Sequence, residues 1–250
     1  MKTAVVAITR HGITMAGKIV ATLPGATLFA PEKFCVEAEA AAPQHYECYE
    51  GKTAEQIPAL FAAFAAFDAI VAVVSLGAVV RLIAPHLGSK ENDPAVVVMD
   101  EAGKFAIPIL SGHLGGANAL AGHLARALGA IPVLTTASDS RQTLAVDLLG
   151  RELGWTIEAT HDELVRASAA VVNDDAVALV QEAGSHDWWT QHANGRSVPL
   201  PANISVFARL EDVAAERFAA VLWISRRDMP DAYAQPLAGK CIVYRPGEDA

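Results

Sequence analysis

Phe105-Ala-Ile-Pro-Ile-Leu110-Ser-Gly-His-Leu-Gly-Gly-Ala-Asn118 starts as an apolar run and passes within a few residues into a helical pattern. The run Phe105–Leu110 reads as a strand. Ala117, Leu120, Ala121, Leu124 and Leu128 then recur at helical spacing up to Gly129, a residue suited to end a helix. A strand feeding directly into a helix is the building unit of an α/β sheet, so this stretch decides the fold class. The crossing also packs three glycines, a hydroxyl, an imidazole and an amide into one turn. Small residues admit a ligand to the backbone, and the unpaired first-turn amides of a helix attract anions. The turn is therefore expected to be a site that cradles an anionic group.

The same alternation extends outward in both directions. Thr3–Thr9 is an apolar strand ending at Arg10-His11-Gly12 and followed by a helix to about Leu23. Ala26–Ala30 is a second strand, and Pro31–Gly51 has so little periodicity that a surface excursion is expected. Ile57, Leu60, Phe61 and Phe64 mark one side of a helix, and Ala69–Val74 is a buried strand that turns at Ser75-Leu76-Gly77 into another. Pro94–Asp100 is a strand, joined through Glu101-Ala102-Gly103 to Lys104–Leu110 as a hairpin or as a neighbouring strand. Ile131–Thr135 reads as a last buried strand, followed by a helix through Leu144, Val146, Leu148 and Leu149. The pattern predicts a three-layer, Rossmann-like α/β domain over residues 1–150 with a mostly parallel sheet. Beyond about Gly154 the texture changes. Ala169–Val180 reads as a hairpin around Asn173-Asp174-Asp175, and Ala219–Ile224 and Cys241–Tyr244 as further strands. Residues 151–250 are expected to form a second, smaller α/β unit.

In parallel sheets ligands lie beyond the carboxyl ends of the strands. The segments there are Thr9–Gly12, Ser75–Gly77, Asp100–Gly103, Ser111–Gly116 and Thr135–Asp139, expected to share one cleft. His113 is the leading proton-transfer candidate because imidazole titrates near neutrality; the alternative is a loop-bracing histidine. Asp100, Glu101 and Asp139 are candidate acids or bases, or else turn and cap residues. Arg81, one turn beyond Gly77, could take a carboxylate in a two-pronged contact or form a surface ion pair. Arg10, His11, Thr135 and Thr136 complete a polar rim, and Ser111, Gly112, Gly115, Gly116 and Asn118 form the cradle. The alternative for Ser111 is a helix cap, and for Asn118 a brace for a neighbouring loop. Trp188-Trp189 could cover a ligand or pack between units.

The net charge of −9 and the lack of a basic cluster argue against nucleic acid. Hydrophobic residues make up 52% of the chain, yet no run of roughly 18 uninterrupted apolar residues occurs, so no membrane span is expected. Met1–Val6 enters a strand pattern without a signal-peptide cleavage region, so a soluble cytoplasmic protein is expected. Three cysteines, Cys35, Cys48 and Cys241, lack zinc spacing and are expected to be reduced thiols. Dinucleotide, P-loop, nucleophile-elbow and His-Glu-x-x-His patterns are all missing, so general motifs leave the reaction open.

Four stretches taken together carry a resemblance: Gly77-Ala-Val-Val-Arg-Leu-Ile-Ala-Pro85, Asp93-Pro-Ala-Val-Val-Val-Met-Asp-Glu101, Leu110-Ser-Gly-His-Leu-Gly-Gly-Ala-Asn118 and Ile131-Pro-Val-Leu-Thr-Thr-Ala-Ser-Asp139. In this order they resemble the cobalamin-biosynthesis protein G family, and the second unit looks like that family's central domain. The resemblance implies a cobalt-precorrin-5A hydrolase, which opens the δ-lactone of a corrin precursor and releases acetaldehyde. It implies a macrocycle rich in acetate and propionate groups, with cobalt carried by the substrate and no further cofactor or protein-bound metal. Family members often continue into a C-terminal domain. The resemblance therefore leaves room for a separate C-terminal-domain protein or neighbouring pathway enzymes as partners, for a homodimer, and for the alternative of a non-catalytic corrinoid-binding subunit. Within it, His113 is expected to act as general base, with Asp100, Glu101 or Asp139 orienting it or assisting departure of the fragment, and first-turn amides around Gly112–Gly116 holding the oxyanion.

Overall fold

The protein is described from a computed structural model covering residues 1–62, 67–88, 92–189 and 199–247. Phe64 and the side chain of Phe61 lie outside the described residues. The chain divides into two compact units, Met1–Leu134 and Thr135–Ala250.

In the first unit the order is β1 (Thr3–Ala7), α1 (Arg10–Thr22), β2 (Thr27–Pro31), α2 (Cys35–Ala41), β3 (Tyr46–Tyr49), α3 (Thr53–Ala62), β4 (Ala69–Val73), α4 (Leu76–Ile83), β5 (Ala95–Met99), β6 (Phe105–Leu110), α5 (Ala117–Leu128) and β7 (Ile131–Pro132). The strands hydrogen-bond in the order β3-β2-β1-β4-β5-β6-β7. Alternation of side chains along each strand divides the core between two faces. Val5 and Ala7 of β1 pack with Ile13, Ala16 and Ile19 of α1 and with Leu120 and Leu124 of α5. Ala4 and Val6 pack with Ile57 of α3 and with Val79 and Ile83 of α4. Helices thus cover both faces, which makes three layers and explains why the central strands are continuously apolar.

All strand pairs in this sheet are parallel except one. β5 and β6 run antiparallel, with Val98 opposite Ile107 and Met99 opposite Ala106. The connection 100–104 is far shorter than the dozen or so residues that a parallel crossover needs, so only a hairpin can form. β7 then pairs parallel to β6. This reversal corrects the single cleft expected from the sequence. Segments following β1, β4 and β5 leave one edge of the sheet, called here the carboxyl edge, whereas Ser111–Asn118 leaves the opposite, amino edge.

Other expectations are corrected by packing. Residues 31–51 form α2 and the edge strand β3, and Cys35 is joined to Cys48 in a disulfide with Cα atoms 5.8 Å apart, so these two are not the reduced thiols expected. β7 is a two-residue, exposed edge strand rather than a buried one, in keeping with Pro132, which cannot donate to a ladder. Among the described residues no helix is long and apolar enough to cross a membrane.

In the second unit α6 (Ala137–Ser140) is followed by short 3₁₀ turns at Val146–Leu148 and Arg151–Leu153 instead of the long helix expected. Leu144, Val146 and Leu149 pack with Trp155, Leu179, Leu222 and Tyr244, so the segment after Leu134 belongs to this unit's core. There follow β8 (Thr156–Glu158), α7 (His161–Val172), β9 (Val177–Gln181), β10 (Ile204–Phe207), β11 (Ala220–Ile224), α8 (Asp231–Ala234) and β12 (Cys241–Arg245). The hairpin expected over Ala169–Val180 is a helix entering a strand. A capping box between Thr160 and Glu163 nucleates α7 and carries it through Val172. The sheet order is β10-β9-β11-β12-β8, parallel except for β8.

Candidate functional site

The composition of the amino-edge turn between β6 and α5 follows from how tightly it closes. Ser111 adopts φ +53°, a left-handed backbone uncommon for a residue with a side chain. Its Oγ donates to the Asp93 carbonyl at 2.9 Å, tying the turn to the approach to β5. Gly116 caps α5 with φ +87°, a conformation that only glycine adopts without strain. A Cβ on Gly115 would lie 2.4 Å from Ser111 Cβ, and one on Gly112 would lie 2.7 Å from Asn118 Oδ1. The glycines are therefore demanded by the turn's own packing. A Cβ on Gly116 would come within 2.9 Å of Met1 Cε, which places this turn beside the start of β1, on the amino edge.

The amides at the helix entrance are already engaged. Gly116 N–H donates to the His113 carbonyl, Ala117 N–H to that of Ser111 and Asn118 N–H to that of Gly112, at 3.0–3.1 Å. Of the amides expected around Gly112–Gly116 to hold an oxyanion, that of Gly116 is therefore already used within the turn. What the turn does provide is a half-buried imidazole, His113, held between a strained residue and a glycine cap. Strain of this kind costs about 1–3 kcal/mol and persists where surrounding structure enforces it, often at functional sites.

The carboxyl edge holds a different group. Thr9 caps α1 by accepting from Gly12 N–H at 3.0 Å, and its hydroxyl donates to the Glu101 carboxylate. The strand order reverses between β1 and β4, so Thr9–His11 and Ser75–Gly77 flank the topological switch point. His11 is exposed, and Arg10 pairs with Glu37 at 3.0 Å. Arg81 turns back to donate to the Gly77 carbonyl at 2.9 Å. Asp100 closes the hairpin, accepting from Phe105 N–H at 2.7 Å, which is the bland role allowed for it from the sequence. Asp100 and Glu101 sit at one end of β6 and His113 beyond the other, separated by a strand roughly 17 Å long. Neither carboxylate can orient that imidazole, and the expected arrangement is corrected on this point.

Thr135, Thr136 and Asp139 belong to the second unit. Thr136 Oγ1 donates to the Asp139 carboxylate at the start of α6, and Thr135 is exposed.

Sequence reasoning missed an ionic cluster at the carboxyl ends of β9 and β11. Glu182 accepts from Leu210 N–H at 2.9 Å, from Trp223 Nε1 at 3.0 Å and from Arg227 at 2.9 and 2.6 Å. Burial opposes its ionisation, but the hydrogen bonds from Arg227, Leu210, Ser225 and Trp223 outweigh that and hold its pKa at about 2. Arg227 also pairs with Glu211 at 2.8 Å. The available signal was Ser225-Arg226-Arg227, a charged pair directly after an apolar strand. Trp188 donates from Nε1 to Gln181 Oε1 at 2.9 Å and packs with Trp189 on this unit's own core.

Comparison with known proteins adds the following. The family model described as "Cobalamin synthesis G N-terminal" matches residues 59–139, and that described as "Cobalamin biosynthesis central region" matches residues 144–246. A cobalt-precorrin-5A hydrolase of Priestia megaterium is 37% identical over 243 residues, covering 97% of this chain and 62% of that protein. One of Salmonella typhimurium is 35% identical over 185 residues, covering 73% of this chain and 46% of that protein. The chain thus spans less than two thirds of the length of these curated relatives. A crystal structure of a candidate cobalamin biosynthesis protein G homolog from Sulfolobus solfataricus superposes with a TM-score of 0.48 at 22% identity, over 98% of this chain and 60% of that one.

Proposed function

The chain belongs to the cobalamin-biosynthesis protein G family, and from that premise we propose that it performs the reaction for which its relatives are named, cobalt-precorrin-5A hydrolysis. The single observation carrying this reading is the 37% identity that runs along 97% of the chain. The substrate is a cobalt corrinoid bearing a δ-lactone, and the cobalt arrives within it. Water adds to the lactone carbonyl, the ring C–O bond breaks to give a carboxylic acid and an alkoxide, and the alkoxide leaves as acetaldehyde with cleavage of the C–C bond to the macrocycle.

In this proposal His113 takes the proton from the attacking water and returns one to the carbon from which acetaldehyde departs. Its support is positional. It lies inside the matched region 59–139, which Arg10 and His11 do not, and in a turn that fixes its backbone on both sides. Asp100 and Glu101 have no part in the step. The three amides at the entrance of α5 likewise do not hold the oxyanion.

The test is incubation of the purified chain with the lactone-bearing cobalt precursor, following acetaldehyde and the mass of the corrinoid together. Release of acetaldehyde with the matching mass change supports the hydrolase. Binding of the corrinoid without acetaldehyde supports the alternative, a corrinoid-binding subunit that acts with a separate C-terminal-domain partner.

A further inference from the structure

The corner formed by α2 and β3 contributes little to the core of the first unit. α2 has seven residues, of which only Ala38 is buried, and among the described residues no side chain caps its start. A helix this short is not stable by itself in water. β3 is a four-residue strand at the edge of the sheet, and only Tyr49 of it is buried. It pairs on one side with β2, from Leu28 opposite Tyr46 to Pro31 opposite Tyr49. α2 meets α1 closely at its far end, where a Cβ on Gly17 would lie 2.6 Å from the Ala41 carbonyl oxygen. The link across the corner itself is covalent. Cys35, the first residue of α2, is bonded to Cys48 in β3, and both are half-buried, within reach of a small thiol.

This link bears on the carboxyl edge of the sheet. Two residues beyond Cys35, Glu37 accepts from Arg10 Nε at 3.0 Å. Arg10 begins α1 next to Thr9, whose hydroxyl donates to Glu101. The disulfide therefore fixes the short helix that brings a carboxylate to Arg10, beside the topological switch point.

We propose that Cys35–Cys48 is a redox latch. Oxidised, it keeps α2 docked with Glu37 on Arg10; its reduction lets residues 35–48 open while the rest of the first unit stays folded. The reductant is a dithiol. One of its thiolates attacks a sulfur of the pair to give a mixed disulfide, and its second thiol displaces the remaining cysteine. Two electrons and two protons pass to Cys35 and Cys48, which become thiols, and the dithiol leaves as its own disulfide. Cutting the bond returns chain freedom to a loop of sequence separation 13, in an element with few buried side chains to oppose opening. β2 stays in place because it keeps its pairing with β1, Val5 opposite Leu28, and because Leu28 and Phe29 are buried.

Hydrogen exchange read by mass spectrometry tests this on the full chain, oxidised and after dithiothreitol without denaturant. Amides of residues 36–48 are expected to exchange at least about tenfold faster after reduction, with those of β1, β4 and α5 unchanged. Cys35→Ser/Cys48→Ser should show the fast pattern without reductant and no response to it. Phenylglyoxal should modify Arg10 faster after reduction, and equally fast in oxidised Glu37→Gln. Unchanged exchange over 36–48 on reduction overturns the proposal, since the bond then braces an element that holds itself. Faster exchange spread evenly over the first unit overturns it too, because the bond is then a staple for the whole unit. So does a bond that dithiothreitol breaks only in denaturant, or an oxidised chain whose alkylated mass shows three free thiols. Opening of 36–48 with no change at Arg10 overturns the coupling to α1. None of these readouts uses a corrinoid, so the latch stands or falls apart from the hydrolase reading.

Discussion

At the scale of single residues, the turn 111–116 separates what is structural from what is available for chemistry. Gly115 belongs to the first group. Adding a methyl group 2.4 Å from Ser111 Cβ must displace the turn, and Gly115→Ala should destabilise the first unit by about 1–3 kcal/mol, measurable by urea denaturation followed by circular dichroism. Cys241 is structural too. Burial and the nearby Glu163 carboxylate push its pKa up to about 12, so it should resist iodoacetamide at neutral pH and react only in denaturant. Ser111, Gly112 and Asn118 were legible as an unusual cluster, but sequence could not distinguish an anion cradle from a turn that satisfies its own donors. The amide-to-carbonyl pairings of Gly116, Ala117 and Asn118 show that the helix entrance satisfies its own donors.

At the scale of elements, the alternation of apolar runs and helical periods made β1, β2, β4, β5 and α5 readable, because a strand buried on both faces needs no polar residue. The direction of β6 was also within reach, since a connection as short as 100–104 permits only a hairpin. Pooling every strand end at one edge overlooked that consequence. Thr160 and Glu163 were likewise a capping box in plain sequence, masked by the β-branched end of α7. The disulfide was not legible, since an odd cysteine count gives no pairing. It closes α2 against β3, and its reduction should lower stability by roughly 2–3 kcal/mol, read as a drop in Tm with dithiothreitol. Thiol titration in denaturant should find one reactive sulfur before reduction and three after.

For the whole molecule, two units with separate cores should not share one unfolding transition. All four tryptophans, Trp155, Trp188, Trp189 and Trp223, lie in the second unit, so fluorescence follows that unit and far-UV circular dichroism follows both. The two signals are expected to give different denaturation midpoints. Glu182 adds a pH dependence to the fluorescence transition. Its folded pKa of about 2 is below the ordinary value of 4.5, so its contribution is fully present above 4.5 and is lost as pH falls from 4.5 towards 2. Glu182→Gln should flatten that acid limb. The cluster around Glu182 brings together residues 182, 210, 223 and 227, a juxtaposition made by parallel strands and invisible to any local pattern.

The central claim is that proton transfer belongs to the amino-edge turn and not to the carboxylates at the other end of β6. Acetaldehyde release from the lactone-bearing cobalt precursor, measured in parallel for wild type, His113→Gln and Glu101→Gln, tests it most directly. The account predicts that His113→Gln lowers turnover at least about 100-fold while retaining corrinoid binding, and that Glu101→Gln stays within a few-fold of wild type. Near-normal turnover in His113→Gln, or a collapse in Glu101→Gln with binding intact, would contradict it.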